Sequence, residues 1–208
     1  TVLDVGCGGG ATSLPLADAA GRVIGVDRAD DMLEAFRSAL ETRTSVETVR
    51  GGWPEAAANV PHAHVVVCGH VLYNVQDLAP FTRALDGSGD RVLVELTDHH
   101  PLRWMNDLWR RFHGLEFPEG PTADLARQAL EELGFEVHRD RRDASRGHGG
   151  FPTREEAVAI VRRRLCLPAD RDGEVAEALG DRLREDDGHW SAGPPSQEVF
   201  TLWWDPRR

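Results

Sequence analysis

The 208-residue chain carries a formal net charge of −11, which weighs against nucleic acid as a partner, because phosphate backbones are held by basic surfaces. Hydrophobic residues make up 40% and charged residues 28%, an ordinary globular composition and enough for one α/β domain with its own core. All 24 basic residues are arginine, so lysine nucleophiles and Schiff-base chemistry drop out. Cys7, Cys68 and Cys166 lie far apart and form no metal-binding or redox pattern, which reads as reduced thiols in a cytoplasmic protein. No apolar run approaches membrane-spanning length and no signal peptide is visible, so no membrane partner is expected. The chain starts on a strand and without methionine, and a preceding segment is expected.

In chain order, Val2-Leu3-Asp4-Val5 reads as a strand that runs into Gly6-Cys7-Gly8-Gly9-Gly10, four glycines in five positions. Thr12–Ala20 follows with the look of a helix, Pro15 in its first turn and Gly21 as its C-cap. Strand, glycine turn and helix N-terminus present backbone N–H groups to a polar ligand with no Cβ in the way. Arg22–Asp27 is a second strand ending in an acid. A helix then starts near Asp30, its predicted N-cap, with Leu33, Phe36 and Leu40 as the buried stripe and Met32 as a candidate fourth member. Val46–Arg50 alternates as a third strand. His64–Cys68 is the continuous apolar run of a strand covered on both faces. A helix over Leu78–Leu85, a turn over 86–90 and a strand over Arg91–Leu96 complete a series of βαβ units, which implies a parallel, doubly wound sheet.

The second half is more mixed. Trp104, Trp109, Phe112 and Phe117 stand among arginines and prolines between His99 and Pro121. Thr122–Leu133 predicts an amphipathic helix ended by Gly134, and Phe135–His138 a sixth strand. Arg139–Gly150 reads as a polar loop. Thr153–Leu165, opened by a Thr153/Glu156 capping box, and Asp172–Arg184 read as helices. Arg162-Arg163-Arg164 reads as a solvated helix face, and Gln197–Trp204 closes the chain as a strand.

Spacing alone leaves the ligand of the glycine loop open. Gly6-x-Gly8-x-x-Ala11 followed by Asp27 also satisfies a dinucleotide fingerprint, so an NAD-dependent oxidoreductase is one reading. Asp4, two residues before the first glycine, favours a ligand with positive charge over a pyrophosphate.

The succession Leu3–Gly10, Val26-Asp27, Val65–Cys68 and Arg91–Leu96 resembles the motifs of class I S-adenosylmethionine-dependent methyltransferases, from the first residue to about Leu96. The resemblance implies a mostly parallel seven-stranded Rossmann-like sheet with a reversed last strand, here Phe200–Trp204, and helical insertions. One domain over 1–208 is expected, with a cofactor-binding half over 1–97 and a substrate-side half over 98–208 that includes a cap at about 99–121. S-adenosylmethionine is the implied cofactor. Asp4 would neighbour its amino-acid end, Gly6, Cys7, Gly8 and Gly10 would run along it, and Asp27 would bind the ribose hydroxyls, with Arg28 beside it. The family's acid for the adenine amine is replaced here by Gly52, while Trp53 would cover the base. Cys68 and Gly69 would offer carbonyls to the ammonium group. For Asp27 the alternative is a helix cap, and for Trp53 plain core packing.

Methyl transfer asks for placement of the acceptor and, where needed, removal of its proton. His70 after the fourth strand and His100 after the fifth are the candidate bases. His99-His100 lacks a third metal ligand at a suitable spacing, so no metal is expected. Tyr73, Trp104 and Trp109 are candidate acceptor contacts, and helix packing is the alternative for the two tryptophans. The expected partner is a small-molecule acceptor methylated on oxygen or nitrogen, with no nucleic acid; a homodimer is left open. An RNA or protein methyltransferase, and a non-catalytic protein that binds the same cofactor, are the remaining readings.

Overall fold

A computed structural model of the protein describes residues 1–118, 120–145, 150–194 and 196–207. The chain divides into two compact units, the first made of Thr1–Asp98, Pro121–Arg142 and Val199–Arg208, the second of His99–Gly120 and Asp143–Glu198.

The first unit is built on a seven-stranded sheet of β1 (Val2–Val5), β2 (Arg22–Asp27), β3 (Ser45–Arg50), β4 (Ala63–Gly69), β5 (Gly89–Thr97), β6 (His138–Ser145) and β9 (Ser196–Trp204), in the order β3-β2-β1-β4-β5-β9-β6. Strands β1 to β5 pair in parallel, and β9 returns antiparallel to β5, with Glu95 opposite Thr201. The strand alternation divides the core between the two faces. Leu3, Ile24, Val66 and Val92 point to one face, covered by Phe81 and Leu85 of α2 (Leu78–Gly87) and by Leu130 of α4 (Ala123–Glu132). Val2, Val23 and Val67 point to the other, where α1 (Asp30–Leu40) lays down Leu33, Phe36 and Leu40. That spacing puts all three on one helical stripe, as predicted, whereas the candidate Met32 is exposed.

The strand–helix alternation through β5 and the reversed β9 follow the sequence expectation; several local readings do not. Thr12–Ala20 is a run of turns around a single 3-10 turn at Leu14–Leu16, and Gly21 caps nothing. Its amides bond alternately three and four residues back (Leu14 to Gly10, Leu16 to Ser13, Ala20 to Leu16), and Pro15 has no N–H to extend either pattern. The N-terminal helix dipole invoked for the ligand therefore has no helix behind it. The N-cap of α1 is Ala29 rather than Asp30, which lies in the first turn. The sixth strand is not Phe135–His138 but His138–Ser145, inside the stretch read as a loop. This edge strand is exposed and charged, needs only its backbone to pair, and its arginines guard the edge. Phe135, outside it, stacks on Trp204 with ring centroids 5.0 Å apart. The caps at Thr122 and Thr153 form as expected, each hydroxyl accepting the amide three residues on, from Leu125 and Glu156.

The second unit has its own core of Met105, Leu108, Val158, Val161, Leu165 and Leu179, among others. It holds α3 (Asn106–His113), α5 (Arg154–Arg164) and α6 (Asp172–Leu179). The helix predicted to reach Arg184 stops at Leu179, where Gly180 takes φ +50°, and the chain turns into a hairpin of β7 (Leu183–Asp186) and β8 (His189–Ala192). Asp187 and Gly188 both have positive φ at the hairpin tip, the Asp-Gly pair a two-residue turn favours. No helix among the described residues is long and apolar enough to cross a membrane.

Candidate functional site

The carboxyl ends of β1, β2 and β4 open on a cleft of about 730 Å³ in the first unit, within the size range of small-molecule sites. Its walls include Gly6, Asp27, Arg28, Trp53, His70 and Asp77. The glycine loop reaches the cleft through its first residue, Gly6. Gly6 takes φ +70° and its amide donates to the Val26 carbonyl at 2.8 Å, tying the loop to β2. A Cβ there would lie 2.5 Å from a methyl of Val71, so the position needs glycine for both dihedral and space. Gly8 has φ +49° with nothing within 4 Å of where a Cβ would stand. Its amide donates to Asp27 Oδ2 at 3.0 Å, and Asp27 Oδ1 accepts the amide of Ala29 at 3.0 Å. Asp27 thus joins loop, β2 and the start of α1, with each oxygen keeping acceptor capacity. Asp27 lines the cleft, and it is not the cap of α1, whose N-cap is Ala29.

Asp4 lies beneath the loop rather than on the cleft wall. It is 1% exposed; its Oδ2 accepts the Ser13 hydroxyl, while Oδ1 has no hydrogen-bond partner. Burial first, with a smaller push from Asp27 and against the Ser13 bond, raises its pKa to about 7. A buried carboxylate with one orphaned oxygen is a demand for a donor or cation, and it opposes a pyrophosphate. Cys7 and Cys68 are buried thiols whose pKa values are raised by desolvation, consistent with packing rather than chemistry. Gly69 is covered by Thr12, whose hydroxyl oxygen would stand 2.0 Å from a Cβ at that residue.

At the opposite wall, Trp53 is 7% exposed, donates from Nε1 to the Phe81 carbonyl at 3.1 Å, and belongs to the main core while still lining the cleft. Gly52 provides no acid; its open Cα face is where the Arg28 guanidinium rests, 2.9 Å from a notional Cβ to Nε.

His70 also lines the cleft. It ends β4 in a left-handed conformation, φ +59°, uncommon for a residue with a side chain, and its amide donates to the Glu95 carbonyl at 2.7 Å. Its Nε2 lies 3.5 Å from Glu95 Oε1, and Arg142 Nη2 donates to Glu95 Oε2 at 2.7 Å. The His70 contact and the Arg142 bond together hold the Glu95 carboxyl below its usual pKa. Neither Glu95 nor Arg142 stands out in the sequence; the signal available was an acid within a buried parallel strand. Tyr73 stacks on His70 with centroids 6.4 Å apart, but its hydroxyl is engaged by Thr97 Oγ1 at 2.7 Å and it is not among the cleft walls.

The remaining predicted residues fall in the second unit. His100 Nδ1 accepts the Leu102 amide at 3.1 Å, closing a local turn, and burial lowers its pKa. Trp104 and Trp109 pack against that unit's core, Trp109 edge-on to Phe117 at 5.6 Å. Among the described residues no group of three or more His, Cys, Asp or Glu is arranged to hold a metal.

A parallel sheet in this order, with one reversed strand beside β5 and a glycine loop and acid at the ends of β1 and β2, defines a Rossmann-like methyltransferase fold. Residues 2–89 match the family model described as methyltransferase domain, over the same stretch in which the sequence resembles the class I S-adenosylmethionine-dependent methyltransferases. Over 86 residues it is 38% identical to the ubiquinone biosynthesis O-methyltransferase of Hydrogenovibrio crunogenus, covering 40% of this chain and 36% of that protein. Over 113 residues it is 34% identical to the protein of the same name from Serratia proteamaculans, covering 50% and 46%. The chain spans less than half the length of these curated relatives. Among solved structures, a putative methyltransferase from Bacillus halodurans has a TM-score of 0.59 at 17% identity, covering 100% of this chain and 92% of that one. A methyltransferase from Thiobacillus denitrificans, solved with S-adenosyl-L-homocysteine, has a TM-score of 0.55 at 15% identity, covering 97% and 83%. At these identities the likeness is one of fold.

Proposed function

We propose that this protein transfers a methyl group from S-adenosylmethionine to a small-molecule acceptor, at an oxygen or nitrogen. The observation that carries the reading is Asp4, a buried acid whose Oδ1 lacks a partner directly under the glycine loop. A ligand with an ammonium group and a sulfonium answers that demand, whereas a dinucleotide's pyrophosphate would add repulsion. Asp27 holds the ribose hydroxyls, with the acceptor capacity left after its two backbone bonds. Arg28 lies along the base, over Gly52. When bound, the cofactor supplies an electrophilic methyl group on a positively charged sulfur.

His70 serves as the base that takes the proton of an acceptor hydroxyl, from its place on the cleft wall at the end of β4. The O-methyltransferase relatives favour oxygen as the methylated atom. The net charge of −11 favours a small acceptor over RNA. The second unit takes the part of the substrate-side half in a single working domain, and unpaired Cys7, Cys68 and Cys166 suit the cytoplasm.

Calorimetric titration with S-adenosylhomocysteine and, separately, with NAD tests the reading. Binding of the former with none of the latter is expected. Binding of NAD alone overturns it.

A further inference from the structure

The cleft's candidate base is held by a carboxylate that is itself held, two strands away, by a guanidinium. We infer that Glu95 and Arg142 are positioning residues for His70: Glu95 orients the imidazole and stabilises its protonated form, and Arg142 moderates that pull. The inference rests on the methyl-transfer reading of the cleft and deepens it.

The sheet order builds the arrangement. Glu95 sits on β5 opposite Gly69 of β4 on one side and Thr201 of β9 on the other. His70 is the next residue after Gly69, and its ring comes to the Glu95 carboxylate where the chain turns sharply, through φ +59° and the hydrogen bond its backbone N–H donates to the Glu95 carbonyl. A non-glycine residue kept in that conformation costs of order 1 kcal/mol and persists where the surroundings impose it. Arg142 on β6 reaches Glu95 across β9, the reversed strand that separates β5 from β6.

The carboxylate divides its oxygens, Oε1 facing His70 Nε2 at 3.5 Å and Oε2 accepting from Arg142 at 2.7 Å. With Nε2 turned to Glu95, Nδ1 is the ring nitrogen left for the cleft. The other groups about His70 are Tyr73, a phenol kept neutral by burial, and the cleft charges Asp27, Arg28, Glu55 and Asp77. Glu95 is the carboxylate that comes within ion-pair distance of the imidazole. Paired with Arg142, that carboxylate exerts a smaller field on the ring than it would alone. Glu95 is 23% exposed and Arg142 56%, so the couple is partly screened.

The two partners therefore act on the imidazole with opposite sign, which a merely structural role would not produce. The test is an NMR titration of the His70 ring resonance, assigned by its absence in His70→Asn. It compares the natural protein with Glu95→Gln and Arg142→Met, each also titrated with S-adenosylhomocysteine. The His70 midpoint is expected to fall by about half a pH unit or more in Glu95→Gln and to rise in Arg142→Met. Midpoints that do not move, or that move in the same direction, overturn the inference. Should Glu95→Gln lose its near-ultraviolet dichroism, the direction seen in Arg142→Met, a change at an exposed side chain, decides alone. Failure of the natural protein to bind S-adenosylhomocysteine counts against the methyl-transfer reading, and the titration shifts judge the positioning roles separately.

Discussion

Ser13 donates its hydroxyl to Asp4 Oδ2 at 2.5 Å and leaves Oδ1 of the same buried carboxylate without a partner. This is an expensive arrangement for the free protein. Burial pushes the Asp4 carboxyl up from the ordinary aspartate range to about 7, so the folded state binds its proton more tightly than the unfolded state. An acid raised on folding costs nothing below its unfolded pKa, and its penalty grows as pH climbs toward its folded pKa. Between about pH 4 and pH 7 that penalty reaches on the order of 4 kcal/mol, and it stays constant above. Asp4→Asn removes the charge and keeps the shape. Its melting temperature is expected to exceed that of the natural protein at pH 8, with little difference at pH 4, and its affinity for S-adenosylhomocysteine should fall by tenfold or more. An equal difference in melting temperature at both pH values would contradict this account.

The two loop glycines Gly6 and Gly8 separate strain from crowding. Both have positive φ, but only at Gly6 would a Cβ strike a neighbour, the Val71 methyl at 2.5 Å. Alanine at either position costs about 1–2 kcal/mol for the left-handed backbone. Gly6→Ala adds overpacking of about 1–3 kcal/mol. Denaturant titration should find Gly6→Ala the more destabilised, and Val71→Ala should recover part of that loss in the double variant while recovering nothing for Gly8→Ala. Additive behaviour in the Gly6/Val71 cycle would show that the crowding is not felt.

What the sequence disclosed and what it hid divide along physical lines. Strands β1, β2 and β4 were legible because both faces are covered, which forces continuous apolar runs such as Val65–Cys68. Asp27 was legible because strand, acid and helix follow one another locally. β6 was not, since an exposed edge strand can carry His-Arg-Asp-Arg-Arg-Asp and still pair through its backbone. The β7–β8 hairpin did carry a local signal, Asp187-Gly188, that was absorbed into a predicted helix. The Glu95–Arg142 pair joins residues 47 positions apart across an intervening strand, and no local pattern encodes that.

Gly52 and Arg28 make a third test. The guanidinium lies over Gly52 with Nε 2.9 Å and Nη2 3.1 Å from a notional Cβ, so any side chain at 52 must push it aside. Arg28 is exposed, and the end of a flexible chain yields cheaply, so Gly52→Ala should change stability by no more than about 0.5 kcal/mol. Its affinity for S-adenosylhomocysteine should nevertheless drop, and by about the same factor as in Arg28→Ala, because both remove the guanidinium from the base end of the cleft. A large loss in Gly52→Ala with none in Arg28→Ala would mean that the backbone, not the arginine, makes the contact.

Asp27 is where structure and binding are hardest to separate, because its carboxylate accepts two amides within its own scaffold, from Gly8 and Ala29. Removing it strips both, at about 1 kcal/mol each, and frees the loop from α1. Asp27→Ala therefore confounds a lost ligand contact with a disordered loop. Asp27→Asn is the more informative change: its single carbonyl oxygen keeps one amide, while its NH2 group can no longer accept from two hydroxyls. If the carboxylate holds the ribose, Asp27→Asn should lose tenfold or more in S-adenosylhomocysteine affinity with a melting temperature within a few degrees of the natural protein. Asp27→Ala should lose both binding and stability. Retained affinity in Asp27→Asn would reduce Asp27 to a scaffold residue and move the ribose contact elsewhere in the cleft.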